Sequence, residues 1–275
     1  MREYWSAVLR NDTAVPDDRP LPELLNELLD GLASPDPSLR DDIVYPVLVR
    51  WVLRGECDPH AVWLGDRVTG MLRHDEIQAR TFATLILGAI IERDTAAPIV
   101  DMKDAHRWFE EFAQWWTSET DLRGKDPELG WLHAAAHGAD TLSAYGASRH
   151  LTAVGLRDLL SVAARRMTAD TDQLWGAQED DRIALACTVI LSRDELSESD
   201  ATDWLTDIAD SLTSRATPGS IPAWAQNTFH TLKSLYVHVD RGATADGTTL
   251  TPPHRNILRD RITAALRIGW PPLAE

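Results

Sequence analysis

Glu76-Ile77-Gln78-Ala79-Arg80-Thr81-Phe82-Ala83-Thr84-Leu85-Ile86-Leu87-Gly88-Ala89-Ile90-Ile91-Glu92 (residues 76–92) is the stretch that decides the fold class. Phe82, Leu85, Ile86, Leu87, Ile90 and Ile91 wind around every side of a helix, the pattern of a helix enclosed on most faces. The apolar run Phe82 to Ile91 is far shorter than the ~20 residues that cross a bilayer. The spacing therefore predicts a core helix and no membrane span.

Segments on either side repeat at helical period, and none alternates convincingly like a strand. Upstream, Leu21–Leu32 reads as an amphipathic helix ended by Ala33-Ser34-Pro35. Ser38 reads as an N-cap with Asp41 three residues on, and the helix it opens carries Ile43, Val47, Trp51 and Leu53 as far as Gly55. Another helix follows Asp58-Pro59 to about Arg73. Downstream of Pro98 comes an aromatic helix with Trp108, Phe109, Phe112, Trp115 and Trp116, and then a histidine helix from about Glu128 to Ala147.

The C-terminal half predicts helices near Leu151–Met167, Glu179–Arg193, Asp200–Leu212, Pro222–Val239 and Pro253–Ile268. Thr168–Gly176 and Asp240–Pro253 read as loops. Helices of similar length with short joins predict an all-α, helical-repeat (HEAT-like) solenoid of antiparallel helix pairs. The absence of a long linker predicts one domain over residues 1–275.

Composition narrows the function classes. The net charge is -16, with 11 tryptophans and a 44% hydrophobic fraction, enough for a sizeable core. Such an acidic chain is a poor match to a phosphate backbone, so no nucleic acid partner is expected. Cys57 and Cys187 are too few and too far apart for a metal or redox motif, and a reduced pair is expected. The start Met-Arg-Glu-Tyr-Trp has no apolar signal core. A soluble, cytoplasmic protein is the expectation.

The chemistry-bearing stretch is Gly130-Trp131-Leu132-His133-Ala134-Ala135-Ala136-His137-Gly138-Ala139-Asp140. On a helix, His133, His137 and Asp140 fall at i, i+4 and i+7 and point the same way. Two imidazoles at that spacing can grip one divalent ion such as zinc or manganese, with Asp140 as third ligand. Ala134 stands where a zincin protease needs its glutamate, which excludes that mechanism. The same residues also suit a hydrogen-bonded network with Glu119 and Arg123.

The neighbouring Glu119-Thr120-Asp121-Leu122-Arg123-Gly124 is either a charged join or a loop delivering Asp121 and Arg123 to the His133 face. Arg80, opening the most apolar helix, needs an anion or a route to water, and either a carboxylate such as Asp121 or Asp140 or a ligand anion suits it. The candidate polar site is therefore Arg80, Glu119, Asp121, Arg123, Trp131, His133, His137 and Asp140, with His133, His137 and Asp140 as candidate metal ligands.

Arg80-Thr81-Phe82-Ala83-Thr84-Leu85, Asp121-Leu122-Arg123-Gly124 and Gly130-Trp131-Leu132-His133 through His137-Gly138-Ala139-Asp140 resemble the bacterial domain of unknown function family 2785. Ser38-Leu39-Arg40-Asp41-Asp42 with Tyr45 and Trp51 resembles its opening helix, so the likeness runs from about 20 to 240. Thr81 and Ala83 depart from the serines of that family, and Lys125 from an aromatic. The resemblance implies a HEAT-like helical architecture and a shared patch of Arg80, Asp121, Arg123, His133, His137 and Asp140. It implies no established activity.

Three readings stay open. The first is a binding module holding a protein segment or small molecule in a concave groove. The second is a metal-dependent hydrolase built on the His-x-x-x-His-x-x-Asp helix. In the third, the patch only organises the fold.

Overall fold

The computed structural model describes residues 1–215, 219–245 and 247–273 of a mostly helical chain. It divides into two compact units: Met1–Ala144 with Ser148–His150, and Tyr145–Ala147 with Leu151–Glu275. No described helix is long and apolar enough to cross a membrane.

The first unit opens with α1 (Arg2–Arg10), a short amphipathic helix not recognised in the sequence. Its Trp5 is fully buried and meets Trp51 edge-on at 5.8 Å. Next, α2 (Leu21–Leu32) carries Pro22 in its first turn, where no backbone donor is needed, and buries Leu24, Leu25, Leu28 and Leu29.

The expected Ser38 cap is corrected by the structure. Asp36 caps the short α3 (Pro37–Leu39), its carboxylate accepting the Ser38 N–H at 3.0 Å. Pro37 sits at the first helical position, which makes the residue before it the cap. A π-helical turn (Arg40–Val44) then leads into α4 (Tyr45–Arg54), which ends at left-handed Gly55.

After a 3-10 turn (Asp58–His60) come α5 (Ala61–Met71), α6 (Ile77–Ala96), α7 (Met102–Ser118) and α8 (Ala134–Ala147). The α6 helix is buried nearly all round, as its composition predicts. Alternate helices run parallel. Tyr45 meets Phe82, and Gly55 lies against Arg93, so α4 and α6 advance together. Phe82 meets His137, Gly88 faces Thr141 and Asp94 binds Arg149, so α8 and the turn after it advance alongside α6. Likewise α5 and α7 are joined at Asp66–Arg107 and Arg73–Glu111.

The second unit contains α9 (Ala153–Thr168), α10 (Glu179–Leu191), α11 (Glu198–Ser214), α12 (Ala223–Arg241) and α13 (Arg255–Gly269). Ser197 starts α11 with a capping box shared with Asp200. Ser234 reaches Asp181 and His238 reaches Thr188, so α10 and α12 also run parallel. The Asp240–Pro253 stretch, expected to be a loop, instead holds a short antiparallel hairpin (Ala243–Ala245 with Thr248–Leu250). Gly242 and Gly247, at φ 84° and 75°, allow its reversals, and Asp246 lies outside the described residues. Cys57 and Cys187 are free and buried. Burial pushes both thiols up to about 12, so neither is a reactive thiolate.

One charged group within the first unit is held unusually deep. Asp94, near the end of α6, is fully buried. Its carboxylate accepts the N–H groups of Ile99 and Val100 at 2.9 and 2.8 Å, both arms of Arg149 at 3.0 Å, and lies 2.9 Å from His150 Nε2. Burial alone would raise this carboxyl, but the Arg149 and backbone bonds outweigh it and hold it below the ordinary aspartate range. Its stabilising effect is therefore complete above about pH 4 and fades as acid protonates it. Asp94→Ala is expected to cost about 3–5 kcal/mol in urea melts at pH 7. Asp94→Asn is expected to flatten the fall in stability as the pH drops below about 4; an unchanged acid limb would show that Asp94 does not carry it.

Candidate functional site

The polar patch is assembled around a chain reversal that the sequence pattern concealed. Lys125–Asp126 and Gly130–Trp131 pair as two short antiparallel strands, β1 and β2, so the histidine helix starts at Ala134 and not near Glu128. His133 itself is left-handed at φ 47° and stands just before the first helical residue. Its carbonyl accepts the His137 N–H at 2.8 Å, and its own N–H donates to Arg123 O at 3.0 Å. The expected i, i+4, i+7 stripe on one helix is therefore corrected: His137 and Asp140 share α8, and His133 is a flanking residue.

Two glycines make the reversal possible. Gly130, at φ 74°, has no side chain to collide with Pro37, 2.5 Å from where its Cβ would stand. A Cβ at Gly138 would overlap the Trp116 indole, which donates from Nε1 to Ala134 O at 3.1 Å. That bond fastens the first turn of α8 to α7.

Arg40 locks the same reversal from the other side, and the sequence reading gave it no role. It is fully buried, with bonds to Ser34 O at 2.8 Å and Leu129 O at 2.5 Å. Its guanidinium also packs over Phe82 at 4.8 Å and pairs with Asp41 at 2.7 Å. Burial pushes the Asp41 carboxyl up, against the pull of Arg40. An arginine followed by two aspartates, just ahead of the apolar Ile43-Val44-Tyr45, was the available signal.

The eight sequence-selected residues fall into three groups. The first is a string of ion pairs. Arg80 pairs with Glu119 at 2.7 Å, not with Asp121 or Asp140 as expected, and also donates to His74 O and Asp75 O. Glu119 additionally accepts Trp115 Nε1 and the N–H groups of Thr120 and Asp121. Burial would raise its carboxyl, but Arg80 and these donors hold it below the usual range. Arg123 clasps Asp121 at 2.6 Å and Asp126 at 2.5 Å. It is the main cause of the lowered Asp121, whereas Asp126 is lowered first by the Leu129 and Glu128 N–H groups.

The second group is a column of rings. Tyr45 meets Phe82 at 5.5 Å, Phe82 meets His137 at 5.2 Å, and His137 meets His133 at 5.7 Å. Trp131 closes the column on His133 at 4.4 Å, with the Lys125 ammonium 5.5 Å from its ring. Both imidazoles are buried, and Trp131 is 40% exposed. Among the described residues, no group of three or more His, Cys, Asp or Glu side chains is arranged to hold a metal ion.

The third group is Asp140 with a recess that the sequence did not reveal. A cavity of about 260 Å³ runs between α4, α6 and α8, lined by Tyr45, Val49, Leu53, Leu85, Glu92 and Asp140 among others. Gly88, Ala89, Thr141 and Ala144 keep its floor low. Small residues on two parallel helices were the signal, legible only once their alignment is known.

The chain belongs to the family described as Protein of unknown function (DUF2785), whose pattern matches residues 70–237. The match starts in the last turn of α5, so the likeness of Ser38–Trp51 to an opening helix lies outside it. No match was found among the curated proteins or the solved structures.

The ion-pair string has a direct mechanical consequence. Glu119→Ala would leave Arg80, largely buried, without its counter-charge, and is expected to cost about 3 kcal/mol. A chemical melt checks this, and a loss below about 0.5 kcal/mol would show that the string does not brace the unit.

Proposed function

We propose that this protein is a small-molecule binding module whose site is the groove between α4, α6 and α8. The observation that carries the reading is the recess of about 260 Å³, with Val49, Leu53, Leu85 and Ala89 in its lining beside Tyr45, Glu92 and Asp140. Concave, mostly apolar sites with a few fixed polar groups are the usual form of ligand pockets. The charges of the ion-pair string are paired with one another and none of its members lines the recess, which fits a structural role for the string. Parallel alternate helices support the finer reading of a HEAT-like stack of antiparallel pairs, an architecture that offers grooves of this kind.

The test fills the groove without touching its charges. Ala144→Leu places a larger side chain among the lining residues. In ligand-observed NMR, compounds from a fragment library are expected to bind the wild type and lose binding to Ala144→Leu, with both proteins equally folded. Fragments that bind both proteins alike, or none that bind the wild type, would sink the reading.

The ring column favours a second reading, a metal-dependent hydrolase. Buried imidazoles 5.7 Å apart between centroids are close enough for one nitrogen of each to share an ion. His133 and His137 would hold it, with water or substrate completing the shell. Under this reading, zinc or manganese added to metal-free protein raises Tm, and His137→Ala abolishes the rise. An equal response in wild type and variant would eliminate it.

A further inference from the structure

We infer that the second unit carries a site of its own, a recess for an apolar monocarboxylate where α11, α12 and α13 meet. The recess holds about 440 Å³, within the range of clefts that take small ligands. It lies wholly inside the second unit and shares no residue with the groove of the first, so the two proposals stand or fall separately.

Its walls are hydrocarbon and ring. Leu212 comes from the last turn of α11, Trp224 and Phe229 from the start of α12, and Ile268 from the end of α13. Ile221 and Pro222 approach from the join before α12. Gly269 lets the Phe229 ring reach the α13 backbone, since a Cβ there would stand 2.4 Å from that ring. Ile221 and Ile268 remain exposed in the recess, so an apolar body seated there would remove them from water.

Arg215 is the one charged side chain among the described lining residues. Its guanidinium lies 3.8 Å from the centre of the Trp224 ring, a stack that orients the plane of the fork. Nη1 donates to Thr168 O at 2.5 Å, and Nη2 donates to the Asp170 carboxylate. An arginine has five N–H groups, so three are left for a further acceptor. Asp170 is 91% exposed, which makes its pairing with Arg215 weak and exchangeable.

A cation fixed beside apolar walls, with no acid in the described lining, is the complement of one carboxylate on an apolar body. The net charge of -16 opposes anions at long range. At physiological salt such fields fade over about 8 Å, so Arg215, in the lining itself, governs the local sign. Asp170 is then a competitor for the same fork.

The experiment is a calorimetric titration of the full chain with 2-naphthoate, 2-naphthylmethanol and 2-naphthylmethylamine, which share one apolar body and differ in charge. The acid is expected to bind about tenfold more tightly than the alcohol, and the amine most weakly. Arg215→Gln is expected to bring the acid down to the level of the alcohol. Should that variant unfold, Asp170→Asn carries the test, because its exposed position spares the fold. Removing the competing carboxylate is expected to tighten the acid about threefold and leave the alcohol unchanged. Equal affinity for acid and alcohol, an Arg215→Gln protein that keeps the preference, or an Asp170→Asn protein no tighter than wild type would overturn the proposal. So would binding of the acid that survives Arg215→Gln and is lost in Ala144→Leu, which would assign it to the groove of the first unit. No binding of the acid at all also ends the proposal and leaves the groove to its own test.

Discussion

The first unit is arranged around a helix that has almost no polar face to offer water. Over its twenty residues α6 buries apolar side chains in every direction, so its neighbours must enclose it instead of merely leaning on one side. The α4 and α8 helices lie along it in the same direction, with α5 packed beside it. Burial of this much apolar surface is the main stabilising term, and the polar groups that accompany it must be satisfied individually. Asp94, Arg40 and Arg80 are the charged examples, each answered by several specific partners.

The helical character was legible because period and composition agree wherever a helix is amphipathic. Leu21–Leu32 has the boundaries that its flanking prolines and leucines indicate. The polar patch was harder to read. His133 follows Leu132 and precedes three alanines, a local pattern indistinguishable from helix, yet it adopts φ 47° because the β1–β2 reversal feeds into it. Two-residue strands are too short to show alternation. The capping residue shifted from Ser38 to Asp36 because Pro37 claims the first helical position.

Partners across long sequence distances were the least legible feature. Arg80 could be seen to need an anion, but the choice of Glu119 depends on where α7 ends against α6. Arg40 and Leu129 are 89 residues apart, and nothing local announces that a buried guanidinium will hold that carbonyl. The groove is the same kind of feature. Gly88, Ala89 and Ala144 are unremarkable singly, and form a channel only when two parallel helices bring them level.

Parallel packing of α6 and α8 also has a consequence for biosynthesis. The contacts between them join residues 53 to 57 positions apart, so α6 emerges from a translating ribosome well before the partner that covers it. At 5–20 residues per second, that delay is roughly 3 to 11 seconds. For that interval the most apolar helix of the nascent polypeptide is shielded only by what precedes it and by α7. Chaperone capture and aggregation would compete with maturation at this step of vectorial synthesis.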